Sequence, residues 1–117
     1  MTLDDVSQFC RALPGCAERL VASPGNIQLF EVHGNQFAYY KTSDPERGRF
    51  SFRVTPERFL ELTDQPGIKP ARYMQRFHWI TVVDVQSLPD PDLQALIQGS
   101  YRMAVERLSK KHQATLA

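Results

Sequence analysis

The side chains best suited to chemistry in this chain of 117 residues are two cysteines, three histidines and a set of arginines. Cys10 and Cys16 are separated by five residues, whereas zinc sites pair their cysteines more closely and need four ligands. The histidines are scattered along the chain, at His33, His78 and His112. We therefore expect one buried and one partly exposed thiol, no metal site and no cofactor.

The chain also lacks the sequence patterns of common catalytic and phosphate-binding sites. It contains no GxxxxGK[ST], no GxGxxG and no GxSxG. The acid pairs Asp4–Asp5 and Asp90/Asp92 stand where helices are predicted to begin, and the helix dipole explains them. Ser100 lies within a predicted helix and is interpreted as a small residue that allows close packing. Without a nucleophile, a base and an oxyanion donor, we expect a protein that is not an enzyme.

Positive charge is concentrated in the middle third of the chain. The net charge is +1, yet residues 1–40 carry −2, residues 41–78 carry +3 and residues 79–117 carry zero. No acid occurs between Asp64 and Asp84, a stretch that includes Lys69, Arg72 and Arg76. If these cations lie beside those of the preceding strands, they form a surface that attracts phosphates by Coulomb steering and counterion release.

The hydropathy pattern predicts an α+β fold in which an antiparallel sheet of about five strands packs on helices, in the order α-β-β-β-β-α-α-β-α. Helices are predicted from Leu3 to Leu13 after a Thr2 cap, from Thr55 to Asp64, from Pro70 to Phe77, and from Asp90 past Lys111. Strands are predicted at 18–22, 27–33, 36–41, 49–54 and 79–85, the last of them interior because it is apolar on both faces.

Length and composition predict one domain over residues 1–117. The hydrophobic fraction is 42%, enough for a single core and too high for a disordered chain. No apolar run approaches the length of a membrane helix. The N-terminal residues carry acids where a secretory signal needs a basic stretch, so we expect a cytoplasmic protein, and a monomer.

Several local patterns, in a fixed order from residue 3 to residue 111, resemble the MmcQ/YjbR family of small bacterial proteins. The patterns are Leu13-Pro14-Gly15, Phe30-Glu31-Val32-His33-Gly34, Phe52-Arg53-Val54-Thr55-Pro56-Glu57, Pro70-Ala71-Arg72-Tyr73-Met74, His78-Trp79-Ile80 and Ser100-Tyr101. The resemblance implies a fold related to the CyaY-like, or frataxin-like, α+β sandwich. It also implies a role in DNA binding through two hairpin wings.

The chain departs from the family pattern at two basic positions. Asn35 and Gln36 stand where family members often have a lysine, which removes a phosphate contact from the first wing. Arg53 stands where they usually have a lysine, which keeps the charge. The frataxin-like fold also suggests iron binding, but Asp4 and Asp5 are too few for a hard-cation site, so we expect none.

We therefore predict a non-catalytic binding module with weak, salt-sensitive DNA affinity and no sequence specificity. The cations predicted to contact phosphates are Lys41, Arg47, Arg49, Arg53, Lys69, Arg72 and Arg76. The alternative is a groove for a small anionic ligand or a protein partner, formed by Arg53, Tyr73, His78 and Trp79. A third interpretation is an ordinary solvated surface on which the cations pair with neighbouring acids, with Trp79 in the core.

Overall fold

In the computed structural model, which describes residues 1–116, six strands form one antiparallel sheet in the order β1-β2-β3-β4-β6-β5. The strands are β1 Cys16–Val21, β2 Ile27–Val32, β3 Asn35–Lys41, β4 Phe50–Arg53, β5 Ile68–Pro70 and β6 Trp79–Val82. The helices are α1 Leu3–Arg11, α2 Pro56–Thr63, α3 Asp90–Glu106 and α4 Lys110–Ala114. The α+β class is confirmed, with one strand more than predicted. As predicted, β6 is interior, since β4 and β5 flank it.

Local capping signals account for the first two long helices. The Thr2 hydroxyl accepts the Asp5 N–H, and the Asp5 carboxylate accepts the Thr2 N–H, which together form a capping box at the start of α1. A threonine also caps α2: the Thr55 hydroxyl accepts the Arg58 N–H, and Pro56 occupies the first helical position. Both of these helix starts were predicted from the sequence.

The sequence pattern predicts Asp90 as the cap of one long helix, by analogy with Thr55 before Pro56, and the structure differs at both ends of that helix. Asp90 does not cap α3; it is the first helical residue, and its carboxylate lies 2.7 Å from the N-terminal ammonium of Met1. The single long helix that was predicted is wrong, because α3 ends at Glu106 and Arg107 is its C-terminal cap. A separate α4 follows, since Ser109 Oγ accepts the N–H of His112 and so begins a new helix.

One face of the sheet packs against α1, α2 and α3 to form the main core. Aromatic residues alternate with polar ones along β4, and Phe50 and Phe52 are fully buried on this face. The helices contribute Val6, Cys10, Leu62, Leu93, Ile97 and Ala104 to the same cluster. Burial of this apolar surface is the main driving force that holds the helices on the sheet.

The opposite face of the sheet carries polar and basic side chains. Residues paired across neighbouring strands share a face, and the register places Arg53 opposite Trp79 and Ser51 opposite Thr81, which itself pairs with Lys69. The hydroxyls of Ser51 and Thr81 are 2.7 Å apart, so this row is linked by side chains as well as by backbone. The face that displays Arg53 therefore also displays Lys69.

The helix predicted over residues 70–77 is absent. Ile68–Pro70 instead forms the edge strand β5, paired with β6, and only Gln75–Phe77 makes a short 3-10 turn. Pro70 stands at the end of an edge strand, where its missing N–H costs no ladder hydrogen bond. Tyr73 and His78 have positive φ angles of 67° and 65°, which an α-helix cannot contain. The chain therefore turns twice between β5 and β6.

Among residues 1–116, no helix combines the length and hydropathy that crossing a bilayer demands.

Candidate anion-binding groove

A groove of about 430 Å³ opens at one end of the sheet. Three parts of the fold enclose it: the turn between β2 and β3, the end of β4, and the C-terminal end of α3. The segment between β5 and β6 forms its remaining side. The lining residues are Gly34, Asn35, Gln36, Arg53, Met74, Phe77, Trp79 and Arg107.

Two arginines line this groove, and neither has a counter-ion among the residues that the structure describes. Arg53 is half-buried at the end of β4, and Arg107 is exposed at the end of α3. Neither forms an ion pair with any residue between 1 and 116. Burial, reinforced by the charge of Arg107, lowers the pKa of the Arg53 guanidinium from its ordinary value, although the group stays charged at neutral pH. The groove therefore has a doubly cationic wall.

Ser100 on α3 fixes the backbone that carries Arg53. The pairing of β3 with β4 ends at Ala38 and Phe52, so the next backbone groups of the two strands need other partners. Ser100 Oγ accepts the Arg53 N–H at 3.0 Å and donates to the Phe37 carbonyl at 2.6 Å. The sequence analysis treated Ser100 as a packing residue only, whereas it replaces missing ladder bonds beside the groove.

The other wall of the groove is apolar. Trp79 is only 3% exposed and stacks on Tyr39 with 5.8 Å between ring centroids, so it belongs to a buried aromatic pair. Phe77 is 43% exposed, and the guanidinium of Arg76 lies 4.8 Å from its ring centroid. Met74 lines the groove beside Phe77. A ligand that enters would therefore meet two cations, an aromatic ring and a thioether among the lining residues.

Four of the seven cations predicted to contact phosphates already have partners within the protein. Arg49 and Arg72 both approach Glu46 Oε2, at 3.7 and 3.8 Å. Arg47 lies 3.4 Å from Asp44.

The ammonium of Lys41 is the fourth, and it donates to the Gly25 carbonyl at 2.9 Å. Within the described chain the other three predicted cations, Arg53, Lys69 and Arg76, are in no ion pair. The continuous basic surface expected from the sequence is therefore interrupted by carboxylates.

The alternative prediction places Arg53, Tyr73, His78 and Trp79 around one groove, and the structure brings only two of the four together. Arg53 and Trp79 line the groove, whereas Tyr73 and His78 do not. Tyr73 is 87% exposed and points away from the core. His78 packs edge-on against Phe59 of α2, with 5.5 Å between ring centroids.

Sequence reasoning missed Arg107, Phe77, Met74 and Asn35 as members of the groove. Arg107 falls inside the long C-terminal helix predicted from the sequence, and nothing in its local pattern connects it with the hairpin turn. It brings a positive charge to the wall next to Asn35, where family members often have a lysine. The Asn35 amide meanwhile donates to the Ala104 carbonyl at 3.0 Å, which ties the hairpin to the end of α3.

The two cysteines are not activated. Burial raises the pKa of the Cys16 thiol to about 11 and that of Cys10 further still. Both thiols are therefore protonated at neutral pH, and a thiol is a much weaker nucleophile than a thiolate.

Known proteins resemble this chain along nearly its whole length. The family model described as YjbR matches residues 11–103. The uncharacterized protein YjbR of Escherichia coli K12 is 32% identical over 99% of this chain and 98% of its own.

Two solved structures share the fold. The crystal structure of Deinococcus radiodurans protein DR2400, with a DUF419 domain, matches with a TM-score of 0.83 and 28% identity, over 98% of this chain and 87% of that one. A protein from Pseudomonas syringae matches with a TM-score of 0.70 and 20% identity, over 89% of this chain and 99% of that one, which supports the fold alone. The family match, which spans most of the chain, and the full-length relative together show that this protein belongs to the YjbR family.

Proposed function

We propose that this protein is a non-catalytic binding module whose ligand carries a phosphate or similar anion, held between Arg53 and Arg107. One observation carries the proposal: both guanidinium groups line a single groove, and neither is paired with a carboxylate in the described chain. Two positive charges that line one groove repel each other. A bound anion would attract both guanidinium groups and so offset this repulsion.

The chemistry of the groove fits such a ligand. Arginine presents a planar fork of donors that matches the oxygens of phosphate or carboxylate, and it stays charged when partly buried. The volume of about 430 Å³ lies within the range of small-molecule sites, about 300–1,000 Å³. Ser100 holds the Arg53 backbone, so this part of the wall is formed before the ligand arrives.

Isothermal titration with inorganic pyrophosphate tests the proposal. We expect saturable binding that weakens at least tenfold in Arg53→Gln and in Arg107→Gln. Arg102→Gln is the matched control, because it removes an exposed arginine of α3 that does not line the groove. An equal loss of affinity in all three variants would show that the anion binds by net charge alone, and equal affinity in all four proteins would show that neither groove arginine contacts it; either result would overturn the assignment of the groove.

A second candidate function is the weak binding of DNA predicted from the sequence. The observation that favours it is that Lys69 shares the sheet face of Arg53, and that Lys69 and Arg76 are in no ion pair with any of residues 1–116. No acid separates Lys69 from Arg76 along the chain. These cations would extend the groove into a longer path for a phosphate backbone, tested by the salt dependence of duplex affinity.

A further inference from the structure

The groove has two chemically different walls, which restricts the ligand beyond its charge. Resting on the proposed function, we infer that the ligand joins its phosphate to a planar unsaturated ring, as a nucleoside monophosphate does. The phosphate would lie at the wall of Arg53 and Arg107, and the ring at the wall of Phe77 and Met74. A free inorganic anion would use only the first wall.

The exposure of Phe77 is the first argument for a ring. Within residues 1–116 it is one of four large hydrophobic side chains that are substantially exposed, and the only one of these four that lines this groove. An aromatic side chain that stays partly in contact with water beside a groove offers stacking surface to a ligand. Met74 beside it adds a polarisable thioether, which makes favourable contacts with ring edges.

The backbone that presents Phe77 is the second argument. Phe77 ends a 3-10 turn whose following residue, His78, has a φ angle of 65°, and Tyr73 before the turn has a φ angle of 67°. The left-handed region is costly for residues with a side chain, so other contacts must hold these two turns in place. His78 is held by its ring contact with Phe59 and by its carbonyl, which accepts the Val54 N–H at 3.0 Å. The end of the segment is thus fastened to α2 and to the residue after β4, next to Phe77, which lines the groove.

The contact between Arg76 and Phe77 is the third argument. The guanidinium lies over the ring, 4.8 Å from its centroid, and this contact favours one orientation of the ring. An oriented ring loses less freedom when a ligand stacks on it. The same contact adds positive charge to the apolar side of the groove, where the anionic ligand must enter.

Two sources could supply this chemistry: a free nucleotide, or a nucleotide within a single strand. Both present a phosphate and a base, and bases stack on aromatic side chains irrespective of their sequence. A base inside a duplex is already stacked on both sides and cannot reach Phe77. The inferred ligand is therefore a free nucleotide or a single strand, and not the duplex DNA that the second candidate function would bind.

Calorimetric titrations with pyrophosphate, ribose 5-phosphate, adenosine monophosphate and a short single-stranded oligonucleotide test the inference. We expect the monophosphate to bind about tenfold or more tightly than ribose 5-phosphate, which has the same phosphate and no base. Phe77→Ser should abolish that difference, whereas Phe77→Tyr should keep it. Leu60→Ser is the control, because Leu60 is an exposed hydrophobic residue outside the groove, 74% accessible.

The outcomes distinguish the two proposals. Equal affinity for adenosine monophosphate and ribose 5-phosphate would overturn the ring inference and leave the anion site intact. Binding of none of the probes, pyrophosphate included, would overturn both. Tighter binding of the oligonucleotide than of the monophosphate, lost in Phe77→Ser, would support the inference and identify a strand as the source.

Discussion

Arg72 Nη2 lies 3.8 Å from Glu46 Oε2, which joins the segment after β5 to the loop between β3 and β4. Arg49 Nη1 approaches the same carboxylate oxygen at 3.7 Å. The basic segment around Arg72 therefore does lie beside Arg49, as the charge pattern suggested, but an acid stands between them. The charge available to an external phosphate is lower than the count of arginines implies.

Replacing Glu46 with Gln should strengthen any binding to DNA. The change releases Arg49 and Arg72, and each additional phosphate contact steepens the salt dependence of duplex affinity by about 0.9 in log–log slope. Fluorescence anisotropy at about 50 and about 200 mM salt measures the slope. Glu57→Gln removes an equal charge from the exposed first turn of α2 and is the control. If both variants behave alike, the two arginines do not reach the DNA.

The unmodified protein should bind duplex DNA weakly, with a salt slope of about −3, if Arg53, Lys69 and Arg76 each neutralise one phosphate. The double variant Lys69→Ala/Arg76→Ala should then reduce the slope to about −1 for every duplex sequence tested, since phosphate contacts carry no sequence information. Lys110→Ala/Lys111→Ala on α4 is the control for net charge. A slope near zero in the unmodified protein would contradict the second candidate function.

The capping box at α1 predicts a pH-dependent contribution to stability. Hydrogen bonds from the Thr2 backbone and then its side chain hold the pKa of the Asp5 carboxyl below its ordinary value. As the pH falls, the Asp5 carboxylate therefore takes up a proton in the unfolded chain at a higher pH than in the folded one. The stability that the ionised carboxylate adds is present above the unfolded pKa, about 3.9, and is lost as the pH falls through the lower folded pKa.

Asp5→Asn should accordingly lower the melting temperature at pH 7, and the difference from the unmodified protein should shrink towards pH 3. Asp4→Asn, in the same first turn, controls for the interaction of a carboxylate with the helix dipole. A deficit in Asp5→Asn that stays constant between pH 7 and pH 3 would exclude ionisation of Asp5 as its cause.

Particular residues show why some elements were predictable and others were not. Thr2 with Asp5, and Thr55 with Pro56, are local signals because the capping atoms lie within one helical turn of each other. Edge strand β5 was missed because three residues carry no periodicity, and the strand exists only through its pairing with β6. A sequence pattern therefore predicts the elements that local contacts stabilise. It does not predict an element, such as β5, that forms only by pairing with a strand from elsewhere in the fold.

The candidate site was only half predictable for the same reason. Arg53 was identified because β4 alternates clearly, and Trp79 because it starts an apolar strand. Arg107 joins them only when α3 crosses the sheet, and Glu46 meets Arg72 only when two loops converge. The charge balance of a surface depends on such long-range pairs, so a sequence count overestimated the free positive charge.

Gly99 and Ser100, which are adjacent in α3, provide a final prediction: substituting alanine at the two positions should change the free energy of unfolding in opposite directions. Ser100→Ala leaves the Phe37 carbonyl and the Arg53 N–H without their partner, so we expect the free energy of unfolding to fall by about 1–3 kcal/mol. Gly99→Ala should raise it by about 0.5–1 kcal/mol, because a Cβ there meets open space within a helix. Urea unfolding measures both.

Since Ser100 also fixes Arg53, its variant alone should weaken pyrophosphate binding; equal affinities in both variants would limit Ser100 to a structural role.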